Sequence, residues 1–331
     1  MYDRLAALSV EIDDYRLERL ELPGAHDFAR VTTTVVMRGH GIEGRGEDVT
    51  YTASDHDDYP DRLPLAGRRA LDAHSRLLDD CELFPNGASM PASVDYRRWA
   101  FESAALDLAL RQNRLTLGDA VDREYRPVRF VMSTRDEIEP WLEANSELEF
   151  KLDPTSDWTD ARVRELAALD RVRVLDLKGQ YEGTPVDQPP DPRLYRSVAT
   201  LFRDAIIEDP ALNDATRDAL HGSEDRWSWD APIHSLDDVR GLEREPRFLN
   251  IKPSRFGTMA RLLETIDWCE QNGVVTYGGG QLELGVGREQ IQTLASLFYA
   301  DAPNDVAPSV YNEGDPHAEL PHSPLESPKA F

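Results

Sequence analysis

With 62 acidic against 37 basic side chains in 331 residues, the chain carries a formal net charge of −25, which argues against nucleic acid or an anionic membrane as a partner, since both need a positive footprint. Its length can bury a large core in two domains, and no apolar run approaches the ~18 residues of a membrane span. Two cysteines, Cys81 and Cys269, are too few for a disulfide framework, and the Met-Tyr-Asp-Arg start lacks a basic, apolar leader, so a cytoplasmic protein is expected.

In chain order, residues 5–20 and 30–39 read as strands, the second alternating as Val31-Thr-Thr-Thr-Val-Val-Met37, with the turn-rich Leu22-Pro-Gly-Ala-His-Asp27 between them. From Thr50 to Pro60 aromatic and acidic groups mix without a regular period, and Asp55-His56-Asp57-Asp58 reads as a solvated charge run rather than a metal site. Helical patterns occupy 61–82 and 95–112. In the second, Trp99, Ala100, Ser103, Leu106 and Leu110 recur at helical spacing, a buried stripe whose small members allow close packing.

Strand and helix then alternate, as βα units do. Arg126-Pro-Val-Arg-Phe-Val-Met-Ser133 begins the series, Glu147-Leu-Glu-Phe-Lys151-Leu-Asp153-Pro154 is its second strand, and an acidic helix covers 157–169. The next runs end in charges: Val174-Leu-Asp176-Leu-Lys178, Ala205-Ile-Ile-Glu208, Trp227-Ser-Trp-Asp230 and Phe248-Leu-Asn-Ile-Lys252. A buried strand has no use for a terminal charge unless that charge faces a site. Parallel barrel strands bring their C-terminal ends to one face, so Asp176, Glu208 and Asp230 form an all-oxygen set suited to a hard cation, with Mg²⁺ the first candidate.

The basic residues sharpen this. Only Lys151, Lys178, Lys252 and Lys329 are lysines, and the first three end expected barrel strands. Arginine holds its proton too tightly to serve as a base, so these positions read as needing an amine. Between them lies the proline-rich loop 180–192, on the same face. Helices are expected over 193–204 and 257–272, with shorter ones at 211–225 and 235–245, and Asn304 to Tyr311 reads as the last strand. His221 and His234 read as surface or hydrogen-bonded histidines, and Trp227 and Trp229 as core.

Asp176, Glu208-Asp-Pro, Asp230 and Ile251-Lys-Pro-Ser-Arg-Phe-Gly257 resemble the metal ligands and sixth-strand lysine of the enolase superfamily, nearest its muconate-lactonizing branch. Gly278-Gly-Gly-Gln-Leu-Glu283-Leu-Gly-Val-Gly-Arg288 is similar to that branch's seventh-strand motif. Upstream, Arg98-Trp-Ala-Phe-Glu102-Ser-Ala-Ala-Leu-Asp107 resembles the helix closing the family's cap, and His40-Gly-Ile-Glu-Gly-Arg-Gly-Glu47 its hairpin. Glu102 and Asp107 read as structural.

The resemblance implies an α/β fold, a modified (β/α)7β TIM-like barrel over 126–311 with an N-terminal α+β capping domain over 1–125. The tail 312–331 either packs on that cap or is disordered. At this length the barrel is short against the usual ~250 residues, so some outer helices are expected to shrink to turns. It further implies one Mg²⁺ per subunit on Asp176, Glu208 and Asp230, and Lys252 as principal acid/base. The cap loops 22–28 and 51–60 would close over a small carboxylate substrate, with contacts from Tyr51, His56, Asp153, Gln281 and Glu283. The implied chemistry is α-proton abstraction to an enediolate followed by β-elimination, of dehydratase or cycloisomerase type. A racemase or epimerase of N-acylamino acids or dipeptides, a catalytically silent binding protein of the same fold, and assembly as a homo-oligomer are left open.

Departures from the family pattern bear on the choice. The branch's Lys-x-Lys is here Lys151-Leu-Asp153, which puts a two-base racemase in doubt. Alternation along the strand leads Asp153 to be expected beside Lys151. Lys178 stands where the family usually has asparagine, and is the foremost candidate for a second amine, ahead of Lys151. Ala231 follows the third ligand in place of glutamate, and Gln281 replaces a methionine.

Overall fold

A computed structural model of the protein describes residues 1–22, 30–135, 137–184, 186–313, 316–317 and 319–331. The expected cap loop at 22–28 lies, beyond Leu22, outside the described residues.

The single strand expected over 5–20 is split. A short helix, Tyr2–Ala6, precedes β1 (Ser9–Ile12) and β2 (Asp14–Leu22). The chain changes partner at Asp13: β1 pairs antiparallel with β5 (Gly67–Ala70), whereas β2 pairs with β3 (Arg30–Gly39), which pairs in turn with β4 (Ile42–Asp48). A local apolar pattern cannot announce such a change, because both sheets bury the same kind of face. The pairing of β5 likewise shortens the helix expected over 61–82 to Leu71–Asp79, with Gly67 at a φ of 111° turning the chain into the strand.

The helix Ser93–Asn113 is the spine of the cap. Its small face receives β4 so closely that a Cβ on Gly46 would lie 2.2 Å from the Ala100 carbonyl oxygen, and one on Gly44 2.3 Å from the Leu108 nitrogen. The two hairpin glycines are therefore required by contact rather than by turn geometry. The helix stops at Arg114, in the left-handed conformation at a φ of 58°, and the Leu115 amide returns to the Leu110 carbonyl at 3.0 Å.

Seven parallel strands follow, each bonded to its neighbours in chain order: β6 (Met132–Thr134), β7 (Phe150–Leu152), β8 (Val172–Asp176), β9 (Ile206–Glu208), β10 (Trp227–Trp229), β11 (Phe248–Ile251) and β12 (Val275–Gly278). The last strand shrinks to two bridges, Phe130 with Asn304 and Gly279 with Asp305, which close the sheet on itself. Pro308 has no amide to extend the ladder, and the Asn304 side chain supplies bonds instead. It donates to the carbonyls of Arg129 at 2.9 Å and Ala302 at 2.9 Å, and accepts from the Gly278 amide at 2.7 Å.

This is the expected modified (β/α)7β barrel with its α+β cap. Outer helices run Asp160–Ala168, Pro192–Leu201 and Met259–Asn272, while Asp214–Ala219 and Leu236–Gly241 are single short turns. The helix Val286–Phe298 was not anticipated. The tail lies along the barrel rather than the cap, because Leu325 and Val128 exchange antiparallel backbone bonds and the Ala330 amide donates to Thr293 Oγ1 at 2.9 Å. Among the described residues no helix is long and apolar enough to cross a membrane.

Residues two apart on a strand face the same side. Inside the barrel Val174, Ile206 and Tyr277 form a small apolar cluster apart from the main core, and Asp176 and Glu208, two residues further along their strands, sit above it. The larger core surrounds the barrel wall and continues into the cap.

His74, on Leu71–Asp79, is fully buried, and among the described residues neither ring nitrogen has a hydrogen-bond partner. Burial first, then the charges of Arg69 and Arg98, push its pKa from 6.5 down to about 3. The unfolded chain therefore binds an extra proton between these values, and stability falls as pH drops through that window. Glu102, raised by burial to about 7, acts in the opposite sense, losing stability as pH rises. His74→Leu is expected to raise the melting temperature at pH 5 more than at pH 8, measured by thermal denaturation at both. Equal shifts would show that His74 does not titrate on unfolding.

Candidate metal and active site

Asp176 and Glu208 end β8 and β9, and Asp230 and Lys252 follow β10 and β11 by one residue. Each of the three carboxylates offers one oxygen, and those oxygens lie within 4.8 Å of one another in a buried cluster. Packing three anions so closely out of water demands compensation, because each buried charge costs several kcal/mol unpaired, by roughly the magnitudes seen for buried ions.

Cations surround them. Lys151 Nζ bonds Glu208 Oε1 and lies 3.3 Å from Asp176 Oδ2 and 3.7 Å from Asp305 Oδ2. Lys178 Nζ bonds Asp176 Oδ2, and Lys252 Nζ is 2.9 Å from Asp230 Oδ2. Arg255 Nη1 donates to Asp230 Oδ1 at 2.9 Å. Tyr181, from the proline-rich loop, donates its hydroxyl to Asp230 Oδ2 at 2.9 Å and accepts from Arg255 Nη2 at 3.1 Å. Glu208 also receives Asn250 Nδ2 at 3.0 Å and the Tyr277 hydroxyl on Oε2.

Burial alone would raise the Asp176 carboxyl, yet the Lys178 and Lys151 ammonium groups outweigh it and hold the group well below its usual range. Asp230 is likewise lowered, burial being overcome by Arg255 and Lys252. Glu208 is pushed up to about 8 by burial, which Lys151 opposes and the charges of Asp176, Asp230 and Asp209 reinforce.

Asp153 does not meet Lys151. Its Oδ2 accepts from Arg135 Nε at 2.9 Å, and its Oδ1 is 3.6 Å from Lys178 Nζ. Lys151 reaches instead across the sheet to Glu208, where two adjacent carboxylates offer a deeper electrostatic well than one rim aspartate.

The cap comes down on the loop after β12. Tyr51 donates its hydroxyl to Gln281 Oε1 at 2.7 Å, and the Arg30 guanidinium lies 4.7 Å above the Tyr51 ring. Arg30 also donates to the carbonyls of Val49 at 2.8 Å, Thr50 at 2.7 Å, Gln281 at 2.7 Å and Leu282 at 3.1 Å. Glu47 accepts the amides of Leu284 at 2.7 Å, Gly285 at 3.0 Å and Gly287 at 2.7 Å, capping Val286–Phe298 from the other domain. Glu283 turns back on its own loop, accepting the Gln281 amide at 2.7 Å and pairing with Arg288 at 3.1 Å.

His56 sits within the cap, its Nε2 2.9 Å from the Thr50 carbonyl and Nδ1 2.9 Å from Thr33 Oγ1. Burial lowers its pKa, so the ring is neutral: Nε2–H donates to the carbonyl and Nδ1 accepts from the threonine. The structure thus brings Lys151, Lys178, Lys252 and Asp153 around the three carboxylates and sets Tyr51 and Gln281 at the cap seam. His56 and Glu283 are engaged elsewhere.

Sequence reading passed over Arg255, Tyr181, Asp209 and Asn250. Arg255 was legible, since a helix starting at Pro253 puts it one turn past Lys252. Asn250 was legible from alternation. Tyr181 carries no local signal. Asp209 accepts the backbone amides of Asp230 at 2.8 Å and Ala231 at 2.9 Å, fixing the end of β10 from the end of β9.

A barrel with three carboxylates on successive strand ends, lysines beside them and an α+β cap above is the fold of the enolase superfamily. Solved structures share it: a probable mandelate racemase from Alicyclobacillus acidocaldarius with a TM-score of 0.69, 19% identical, covering 95% of this chain and 91% of that one; and the muconate lactonizing enzyme of Pseudomonas fluorescens at 0.68, 20% identical, covering 96% and 95%. The dipeptide epimerase of Methylococcus capsulatus, solved with a Mg ion, gives 0.67 at 19% identity, covering 89% of each chain.

The chain belongs to the family described as Domain of unknown function (DUF8230), matching its C-terminal domain over residues 124–313 and its N-terminal domain over 3–120. Among curated proteins it is similar to o-succinylbenzoate synthase of Bacillus subtilis (strain 168), 38% identical over 147 residues, 44% of this chain and 34% of that protein. It is also similar to the o-succinylbenzoate synthase of Listeria innocua, 27% identical over 210 residues, 62% of this chain. The matched stretches thus span half or less of those relatives' length, 34% and 50%.

The donor set fits a divalent ion: three carboxylate oxygens, buried and within 4.8 Å of one another. Asp176→Asn is expected to weaken Mg²⁺ binding by more than about a hundredfold in calorimetric titration, beyond the roughly 10–100-fold of outer-shell changes. Asp209→Asn, which acts on the ligands through the backbone seat of Asp230 and through its charge near Glu208, is expected to fall within that smaller range. Unchanged binding in Asp176→Asn would remove this cluster as the metal site.

Proposed function

We propose that the protein is a Mg²⁺-dependent enzyme that abstracts the α-proton of a small carboxylate substrate and carries the reaction on to β-elimination. The observation that carries this reading is Lys252, whose amine stands 2.9 Å from Asp230 at the edge of the three-carboxylate cluster. A bound divalent ion supplies Lewis-acid stabilisation of the negative charge that develops on the substrate carboxylate as the α-proton leaves.

The chain's own residues do the rest. Lys252 takes the proton and returns it to the leaving group. Lys151, held between Glu208 and Asp176, keeps the cluster compensated and its geometry fixed. Tyr51 and Gln281 roof the pocket from the cap seam and exclude water, which strengthens every charge interaction beneath them.

Elimination is favoured over epimerisation because epimerisation needs an acid/base on each face of the substrate. The position that would carry a second lysine on β7 is here Asp153, held by Arg135 at 2.9 Å, and Lys151 lies between Glu208 and Asp176. The partial relatives are named o-succinylbenzoate synthases, so formation of o-succinylbenzoate is the first activity to assay, followed by acid sugars, N-acylamino acids and dipeptides.

Lys252→Met is expected to lower turnover by about 10²–10⁴-fold, the usual worth of a general acid/base, while Mg²⁺ binding persists. Full activity and undiminished exchange of the α-proton with D₂O in this variant would sink the mechanism. Tyr51→Phe removes one bond at the roof, and is expected to change the ratio of kcat/KM between substrates by up to about tenfold. An equal loss for every substrate would assign Tyr51 to folding instead.

A further inference from the structure

Lys178 occupies a position set by its backbone rather than by its side chain. Its φ is 53°, in the left-handed region that residues with a Cβ avoid. The neighbouring bonds leave no alternative: the Leu177 amide donates to the Glu208 carbonyl at 2.9 Å and the Gly179 amide to the Asp209 carbonyl at 2.8 Å. Gly179 itself passes so close to the next strand's loop that a Cβ would lie 2.2 Å from the Ala211 nitrogen. The turn is therefore over-determined, and it aims Lys178 at both oxygens of one ligand. The Lys178 amide donates to Asp176 Oδ1 at 3.1 Å, and its ammonium bonds Asp176 Oδ2.

A second acceptor stands beside the first. Asp153 Oδ1 is 3.6 Å from the same ammonium, buried, and without a hydrogen-bond partner among the described residues. Arg135 holds Asp153 by its other oxygen at 2.9 Å, which leaves Oδ1 facing Lys178. A buried carboxylate oxygen left unbonded is costly. An ammonium and a divalent ion on one carboxylate oxygen repel each other, whereas an ammonium moved to Asp153 relieves both problems together.

We propose that Lys178 is a two-seat lysine, resting on Asp176 while that carboxylate carries no metal and moving to Asp153 Oδ1 when a divalent ion takes the Asp176 oxygen. The proposal rests on the reading of Asp176, Glu208 and Asp230 as a divalent-ion site. It makes the pair 153 and 178 a determinant of metal affinity, with opposite effects from its two members: Lys178 competes with the ion, and Asp153 rewards the lysine for leaving. It also accounts for the joint departure at the two positions, an aspartate on β7's end facing a lysine after β8.

The test is calorimetric titration of Mg²⁺ into metal-free wild type, Lys178→Met, Asp153→Asn and the double variant, with thermal denaturation of each metal-free protein to confirm folding. Lys178→Gln, which keeps a polar end without charge, replaces Lys178→Met if that variant does not fold. Lys178→Met is expected to bind Mg²⁺ about tenfold tighter or more, and Asp153→Asn about tenfold weaker, as fits the gain or loss of a buried ion pair. In the Lys178→Met background the Asp153→Asn effect should vanish, because the two residues act through one contact. Equal affinity in wild type and Lys178→Met, or an Asp153→Asn effect that survives without the lysine, overturns the two-seat assignment while leaving the metal site intact. Absence of binding in wild type and in Lys178→Met alike overturns the metal site and this inference together.

Discussion

Three carboxylates facing one another at the dry end of a barrel are the constraint on which the structure turns. Their mutual repulsion in a medium that screens poorly must be offset within a few ångströms. The chain does this with Lys151, Lys178, Lys252 and Arg255, each within bonding reach of a triad oxygen. The surrounding acidity of the whole protein does not help, since surface charges are screened by water and salt over such distances. The lysine scarcity of the sequence acquires a physical sense here. Amines were kept where a compact, movable cation is needed, and the planar guanidinium was used at Asp230, where a fixed fork suits a carboxylate already tied down by Asp209 through its backbone.

The cap is fixed to the barrel by two buried charges, Arg30 and Glu47. Both lie in the seam and bond backbone groups of the loop 281–287, while Arg30 also holds the Val49 and Thr50 carbonyls of the cap. Backbone partners cannot rotate away, so the seam is positioned as firmly as a strand pair. Behind it the close contact of Gly44 and Gly46 with Ser93–Asn113 transmits the position of the hairpin to the helix. Met259 then donates its amide to Glu102 at 3.3 Å, joining that helix to the barrel.

Much of this was written locally. Charges at the ends of Val172–Asp176, Ile206–Glu208, Trp227–Trp229 and Phe248–Ile251 announce a site because a buried strand cannot otherwise tolerate them, and alternation by two tells which residues share the barrel interior. Period and terminal charge are properties of short segments, so the barrel strands and the three-carboxylate cluster were within reach of reading alone, whereas the cap over the barrel came from the resemblance of the hairpin at 40–47 and the helix at 98–107 to the family's motifs. The helix Ser93–Asn113 was legible for the same reason.

What tertiary structure alone decided is the choice of partner. Lys151 had Asp153 as its neighbour in sequence and took Glu208 and Asp176 across the sheet; His56 looked toward the mouth and was claimed by Thr33 and Thr50; the first strand broke at Asp13 because two sheets competed for it; the tail found Val128 rather than the cap. Each of these outcomes compares the free energies of contacts between segments far apart in the chain. A local pattern records that a charge must be buried, whereas the charge that answers it is fixed only when the barrel closes and sets which groups stand within a few ångströms of one another.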